Sequence, residues 1–159
     1  MSKVFGVGFT GKITPRHKVF LDTSVLLSAL FSRRGGSFYI LSQLKDHFEI
    51  LINEYVLEEV LSVLNRKFPA KFDFKNTLFI LLAVGKVKVL PNPSPKLVES
   101  ASEIIEKEDA PILASAILES DFLVTLDKDF LEEMVQKFME KKNIIICTPR
   151  EFIKKWREK

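Results

Sequence analysis

Short apolar runs of strand length alternate with helix-patterned segments along most of the chain, and no hairpin turn joins one run to the next. That alternation constrains the fold most, because strands separated by helices pair in parallel and bury their faces under the helices. Lys18–Leu21 is the first run, and Thr23 and Ser24 are placed to cap a helix over Val25–Phe31. Ser32–Gly36 breaks that helix, and Ser37–Leu44 forms another. Phe48–Ile52 is a second strand, after which Asn53 caps a helix with Val56, Leu57, Val60, Leu61 and Leu64 at helical spacing. A helix over Phe74–Val84 leads to a strand over Lys86–Leu90, closed by Pro91-Asn92-Pro93, and then to a helix over Leu97–Ile105. Asp109 opens a further helix through Leu118, with Pro111 tolerated in its first turn. Phe122–Thr125 and Asn143–Cys147 are the last strands, and Thr148-Pro149 leads into a basic terminal helix. The fold class is therefore α/β, with a mainly parallel central sheet of about five strands flanked by helices.

The 159 residues leave room for one domain, assigned to residues 18–159, after an extension over residues 1–17. With 47% apolar and 28% charged residues, wholesale disorder is excluded. A net charge of +3 permits a nucleic-acid partner without requiring one. The single cysteine, Cys147, excludes an internal disulfide and any cysteine-rich zinc module. Stretches without charge, such as Asn76–Gly85, reach about ten residues, well short of a membrane span. The N-terminus lacks the apolar core of a signal peptide, so the expected location is the cytoplasm, away from any membrane.

In open parallel sheets, ligands bind beyond the carboxyl ends of the strands. Asp22 directly follows the first strand, Asp127 follows Phe122–Thr125, Asp109 begins the helix before that strand, and Glu58 or Glu59 lies on the helix after the second strand. Each acid alone also suits a helix cap or a turn; Asp109 by itself suits an N-cap best. Together they converge on one rim, where like charges require a counter-ion. An all-carboxylate set, with neither His17 nor His47 near it in sequence, suits Mg²⁺ or Mn²⁺ rather than zinc. Thr23, Ser24 and Thr125 are the hydroxyls nearest to orient those ligands. Arg33, Arg34 and Lys128 are candidate phosphate contacts, although a solvated surface charge is the simpler reading of each alone.

The joint pattern resembles a known family. Phe20-Leu21-Asp22-Thr23-Ser24-Val25-Leu26, Val56-Leu57-Glu58-Glu59-Val60, Glu108-Asp109-Ala110-Pro111-Ile112-Leu113-Ala114-Ser115-Ala116 and Leu123-Val124-Thr125-Leu126-Asp127-Lys128-Asp129-Phe130 are similar, in order and spacing, to the four acidic motifs of the PIN domain. Cys147-Thr148-Pro149-Arg150-Glu151-Phe152 is similar to that family's closing strand and final helix. The likeness is greatest to VapC-type toxin ribonucleases of type II toxin–antitoxin pairs. It implies a Rossmann-like sheet and a Mg²⁺- or Mn²⁺-dependent endoribonuclease. The metal ligands would be Asp22, Glu59, Asp109 and Asp127, assisted by Asp129. Glu59 is chosen over Glu58 because the family's acid directly precedes an apolar residue, here Val60. The implied partners are single-stranded or structured RNA, an antitoxin protein and a second copy of the chain, with Phe74–Val84 as one possible interface.

Two other functions compete with this resemblance. A phosphotransfer receiver needs paired acids after the first strand and an aspartate at the end of the third, whereas Thr23-Ser24 follows Asp22 and Lys86–Leu90 holds no aspartate. A non-catalytic RNA- or protein-binding module would keep the fold without needing all four acids. Gly6-Val7-Gly8-Phe9-Thr10-Gly11 spells a dinucleotide-binding pattern but leads into a strand rather than a helix, so it is rejected.

Overall fold

The computed structural model describes residues 17–68 and 73–158. Residues 1–16 of the expected extension, and the glycine pattern within it, lie outside the described residues; His17 already belongs to the first strand. The strands are β1 (His17–Leu21), β2 (Phe48–Asn53), β3 (Lys88–Leu90), β4 (Phe122–Val124) and β5 (Ile145–Cys147). Between and after them run α1 (Thr23–Phe31), α2 (Gly36–Gln43), α3 (Glu54–Lys67), α4 (Phe74–Val84), α5 (Pro95–Ala101), α6 (Ala110–Glu119), α7 (Lys128–Leu131), α8 (Glu133–Glu140) and α9 (Pro149–Arg157). The sheet is wholly parallel, in the order β3-β2-β1-β4-β5.

β1 is the centre of this order. Its Val19, Phe20 and Leu21 are fully buried, as are Phe122, Leu123 and Val124 of β4 beside it. Such uniformly apolar strands suit a sheet covered on both faces. The chain winds outward through β2 and β3, then crosses back over β1 to lay down β4 and β5. The order therefore reverses between β1 and β4, and a crevice opens at the carboxyl ends of these two strands. Phe152 of α9 meets Phe48 and Phe122 edge-on, with ring centroids 5.0 and 5.2 Å apart, so the terminal helix closes the core. A reciprocal pair of hydrogen bonds between Thr148 and Glu151 starts that helix.

Several boundaries differ from the sequence reading, each for a local reason. α1 starts at Thr23 because the Asp22 carboxylate, not Thr23 or Ser24, accepts the capping bond from Val25 N. β3 is shorter than expected because Lys86 adopts a left-handed φ of 53°, and β5 starts late because Asn143 does the same at 63°. α5 begins at Pro95, capped by Ser94, and stops before Ser102, whose hydroxyl donates back to Glu99 O at 2.6 Å. Between β4 and β5 the helical stretch is split into α7 and α8 at Glu132, whose ψ of 139° is extended.

Asn53 ties the rear of the crevice together. Fully buried, it accepts from Val56 N at 2.9 Å to cap α3, and its amide donates to Ser115 Oγ at 2.7 Å and Pro111 O at 3.2 Å on α6. Asn53→Ala removes a cap and leaves buried partners unsatisfied, so urea unfolding should show a loss of about 2 kcal/mol.

Candidate metal centre

Asp22 sits just past β1, 2% exposed, with Asp22 N donating to Val124 O at 3.3 Å across the switch point. Both carboxylate oxygens are engaged. Oδ1 accepts from Ser24 Oγ at 2.5 Å and Val25 N at 3.2 Å, and Oδ2 accepts from Thr125 Oγ1 at 2.6 Å. The same hydroxyls reach onward. Ser24 Oγ accepts from Leu126 N at 3.0 Å, and Thr125 Oγ1 accepts from Asp127 N at 2.9 Å. Asp22 is thereby linked, through two hydroxyls, to the backbone that carries Asp127. Burial pushes the Asp22 pKa from 3.8 up to about 6, against the lowering pull of its three hydrogen bonds.

Asp109, Asp127 and Asp129 converge from two elements, each offering a carboxylate oxygen within 4.8 Å of the others. Asp127 accepts from Asp129 N at 2.9 Å, which starts α7. Asp109 occupies the N-cap position of α6, yet its carboxylate makes no capping bond. The cap that best suited this residue alone is therefore not made by its side chain. Burial first, then the charges of Asp127, Asp129, Glu59 and Asp22, push the Asp109 pKa from 3.8 up to about 7. Asp22 and Glu59 thus flank the cluster closely enough for their charges to be felt. Glu59 accepts a short hydrogen bond from Thr23 Oγ1, whereas Glu58 points to solvent.

Among the described residues, none of these five acids forms an ion pair. Oxygen-only donors with unbalanced negative charge fit a hard divalent cation and not a soft metal. Neither histidine contributes: the His17 ring lies 6.1 Å from that of Phe122, and His47 packs on Trp156 at 4.5 Å. Cys147 is buried, its thiol pKa pushed far up by desolvation, and is inert.

The candidate phosphate contacts separate. Lys128 is exposed, beside Asp127. Arg33 is exposed, and Arg34 lines a second groove with Arg150, Lys154 and Arg157, a groove that none of the five acids lines. The sequence reading missed Tyr55, one helical turn before Glu59 on α3, a spacing that puts both on one face. Its hydroxyl donates to Glu108 O at 2.6 Å, and burial with the charges of Glu59, Asp109 and Glu108 raises its pKa.

A model of the PIN domain family matches residues 19–133. The chain belongs to this family. Its fold is similar to a chain of the VapBC2 complex from Rickettsia felis bound to a promoter DNA fragment, with a TM-score of 0.60 and 22% identity over 81% of this chain and 96% of that one. It is also similar to PAE2754 from Pyrobaculum aerophilum (TM-score 0.56, 18% identity, 94% of each chain). A third similar structure is Mycobacterium tuberculosis VapC20, a toxin that cleaves the sarcin-ricin loop (TM-score 0.54, 21% identity, 71% of this chain and 92% of that one). A search of curated proteins found no match. The five-stranded, all-parallel sheet flanked by helices is thus that of a PIN-like α/β fold.

Two outcomes follow for the centre. The folded pKa values of Asp22 and Asp109 lie above their ordinary value of 3.8, so protonation favours the fold. Their contribution to stability is complete below about pH 4 and is lost as pH rises through about 6 and about 7. A bound cation offsets that loss, so Mn²⁺ should raise Tm more at about pH 8 than at about pH 5.5 in thermal scans. Thr125→Val removes the donor to Asp22 and the acceptor for Asp127 N, and calorimetry should show Mn²⁺ affinity falling by roughly 10- to 100-fold.

Proposed function

We propose that this PIN-domain protein is an endoribonuclease that uses Mg²⁺ or Mn²⁺ to hydrolyse RNA phosphodiester bonds, as a toxin-type or RNA-processing enzyme. One observation carries the reading: Asp109, Asp127 and Asp129 meet within 4.8 Å at the switch point, flanked by Asp22 and Glu59, without a cationic partner among the described residues. Asp22, Glu59, Asp109, Asp127 and Asp129 would hold the cation. When bound, it supplies the Lewis acidity that activates water and neutralises charge on the phosphodiester.

The chain's own groups act around that centre. Ser24 and Thr125 fix both oxygens of Asp22, and Thr23 holds Glu59, so the carboxylates keep their directions when the site loads. Lys128, exposed beside Asp127, would meet a phosphate there. Arg34 and the cations of its groove would hold the RNA backbone farther from the reacting bond. Phe79, Ile80 and Val84 of α4 are exposed while Leu78, Leu81 and Leu82 are buried, which supports a homodimer formed through the outer face of this helix. The VapBC2 complex supports an antitoxin partner that covers the acidic crevice, and VapC20 supports an RNA substrate. Among the described residues no helix is long and apolar enough to cross a membrane; the reading assigns the protein to the cytoplasm, where RNA and a partner would be met.

The test is cleavage of end-labelled single-stranded RNA in Mn²⁺, Mg²⁺ or EDTA. Cutting should require the metal and fall on the order of 10³-fold in Asp22→Asn and Asp109→Asn. Asparagine caps helices as well as aspartate does, so Asp22→Asn keeps the start of α1. Neither cutting nor Mn²⁺ binding by the parent would point instead to a non-catalytic binding module.

A further inference from the structure

Beside the acidic centre lies a cavity of about 510 Å³ that the metal does not need. Its lining includes Tyr55, Pro93, Pro95, Val98 and Pro111, with Asn92 among its polar members. The cavity adjoins the centre through the chain itself. Pro111 is two residues past Asp109, and Tyr55 stands on α3 one turn before Glu59, with the charges of Glu59 and Asp109 reaching its hydroxyl.

The walls are rigid. Proline fixes φ at three positions in the lining. Asn92 N donates to Glu54 Oε1 at 3.3 Å, which ties the proline-rich segment to the first turn of α3. The Tyr55 hydroxyl is anchored on Glu108 O, so the ring bridges α3 and the loop before Asp109. A tyrosine ring and stiff prolines beside an exposed amide suit a planar heteroaromatic ring better than an aliphatic chain. The side-chain amide of Asn92 is exposed and makes no hydrogen bond among the described residues, leaving donors and an acceptor for a ring edge. Lys107, also in the lining, offers a cation for a phosphate, although Glu99 places a carboxylate in the same lining.

We propose that this cavity is a nucleobase subsite, in which a base next to the phosphodiester held at the acidic centre stacks on Tyr55 and presents its edge to Asn92. The inference rests on the nuclease reading of the neighbouring centre and narrows its substrate to RNA whose base is unpaired and turned out: a single strand, a loop or a bulge. A-form duplex keeps its bases stacked and cannot fill the cavity.

The test measures binding by fluorescence anisotropy in Ca²⁺, using a labelled oligoadenylate, an abasic ribose-phosphate chain of equal length and charge, and an RNA duplex. The parent should bind oligoadenylate tightest. Stacking on one aromatic ring corresponds to roughly 5- to 160-fold in affinity, so Tyr55→Ala should weaken oligoadenylate by about tenfold and leave the abasic chain and the duplex unchanged. Tyr55→Phe should restore the preference for the base-bearing chain, and the Mn²⁺-induced rise in Tm of Tyr55→Ala should equal that of the parent. An equal loss on both single strands, no loss on either, or failure of the parent to bind any of them would overturn the subsite. The same samples in Mn²⁺ report cleavage. Base-dependent binding without cutting would overturn the nuclease reading and leave the subsite standing, whereas cutting without Tyr55 dependence would do the reverse.

Discussion

The buried carboxylate of Asp22 is the constraint on which the rest of the site depends. It is deep enough for burial to push its pKa to about 6, yet its oxygens are held by Ser24, Thr125 and Val25 N. A buried carboxylate is costly, and the hydroxyl donors offset part of that cost while fixing its direction. The two hydroxyls then pass the constraint to Leu126 N and Asp127 N, so the loop after β4 takes its place from the acid after β1. The crevice is built by hydrogen bonds across the switch point as much as by the sheet itself.

The electrostatics of the centre point the same way. Burial first, and then the charges of Asp127, Asp129, Glu59 and Asp22, push the Asp109 pKa up to about 7, in a cluster whose three aspartates offer oxygens within 4.8 Å of one another. A fold that keeps such a group without an ion pair gives up stability near neutral pH, which the proposed cation would restore. None of the five acids lines the cationic groove around Arg34, so under the proposed function an RNA backbone and a metal would be attracted by different surfaces.

Much of this was legible in the sequence. Alternating apolar runs without hairpin turns fixed a parallel sheet, and acids directly after Leu21 and Leu126 marked its carboxyl edge. Periodicity could not choose between Glu58 and Glu59, since both flank the apolar stripe of α3; family likeness favoured Glu59, and it is Glu59 that Thr23 contacts. The start of α5 at Ser94-Pro95 was obscured by the neighbouring prolines, which read as a loop. The break at Glu132 arises from backbone geometry and left no proline or glycine to announce it. Asn53 was legible as the cap of α3, but its tie to α6 and the role of Tyr55 were hidden for another reason: their partners, Ser115 and Glu108, lie more than fifty residues away and meet them only once α6 packs against α3.

The central claim is that the acidic cluster binds a divalent cation through Asp109. Isothermal titration calorimetry with Mn²⁺, in two buffers of different ionisation enthalpy, tests it most directly. The account predicts binding that releases protons between about pH 6 and 7 and none at higher pH, with both the heat and the release lost in Asp109→Asn. Binding that persists unchanged in Asp109→Asn, or no binding at any pH, would contradict it.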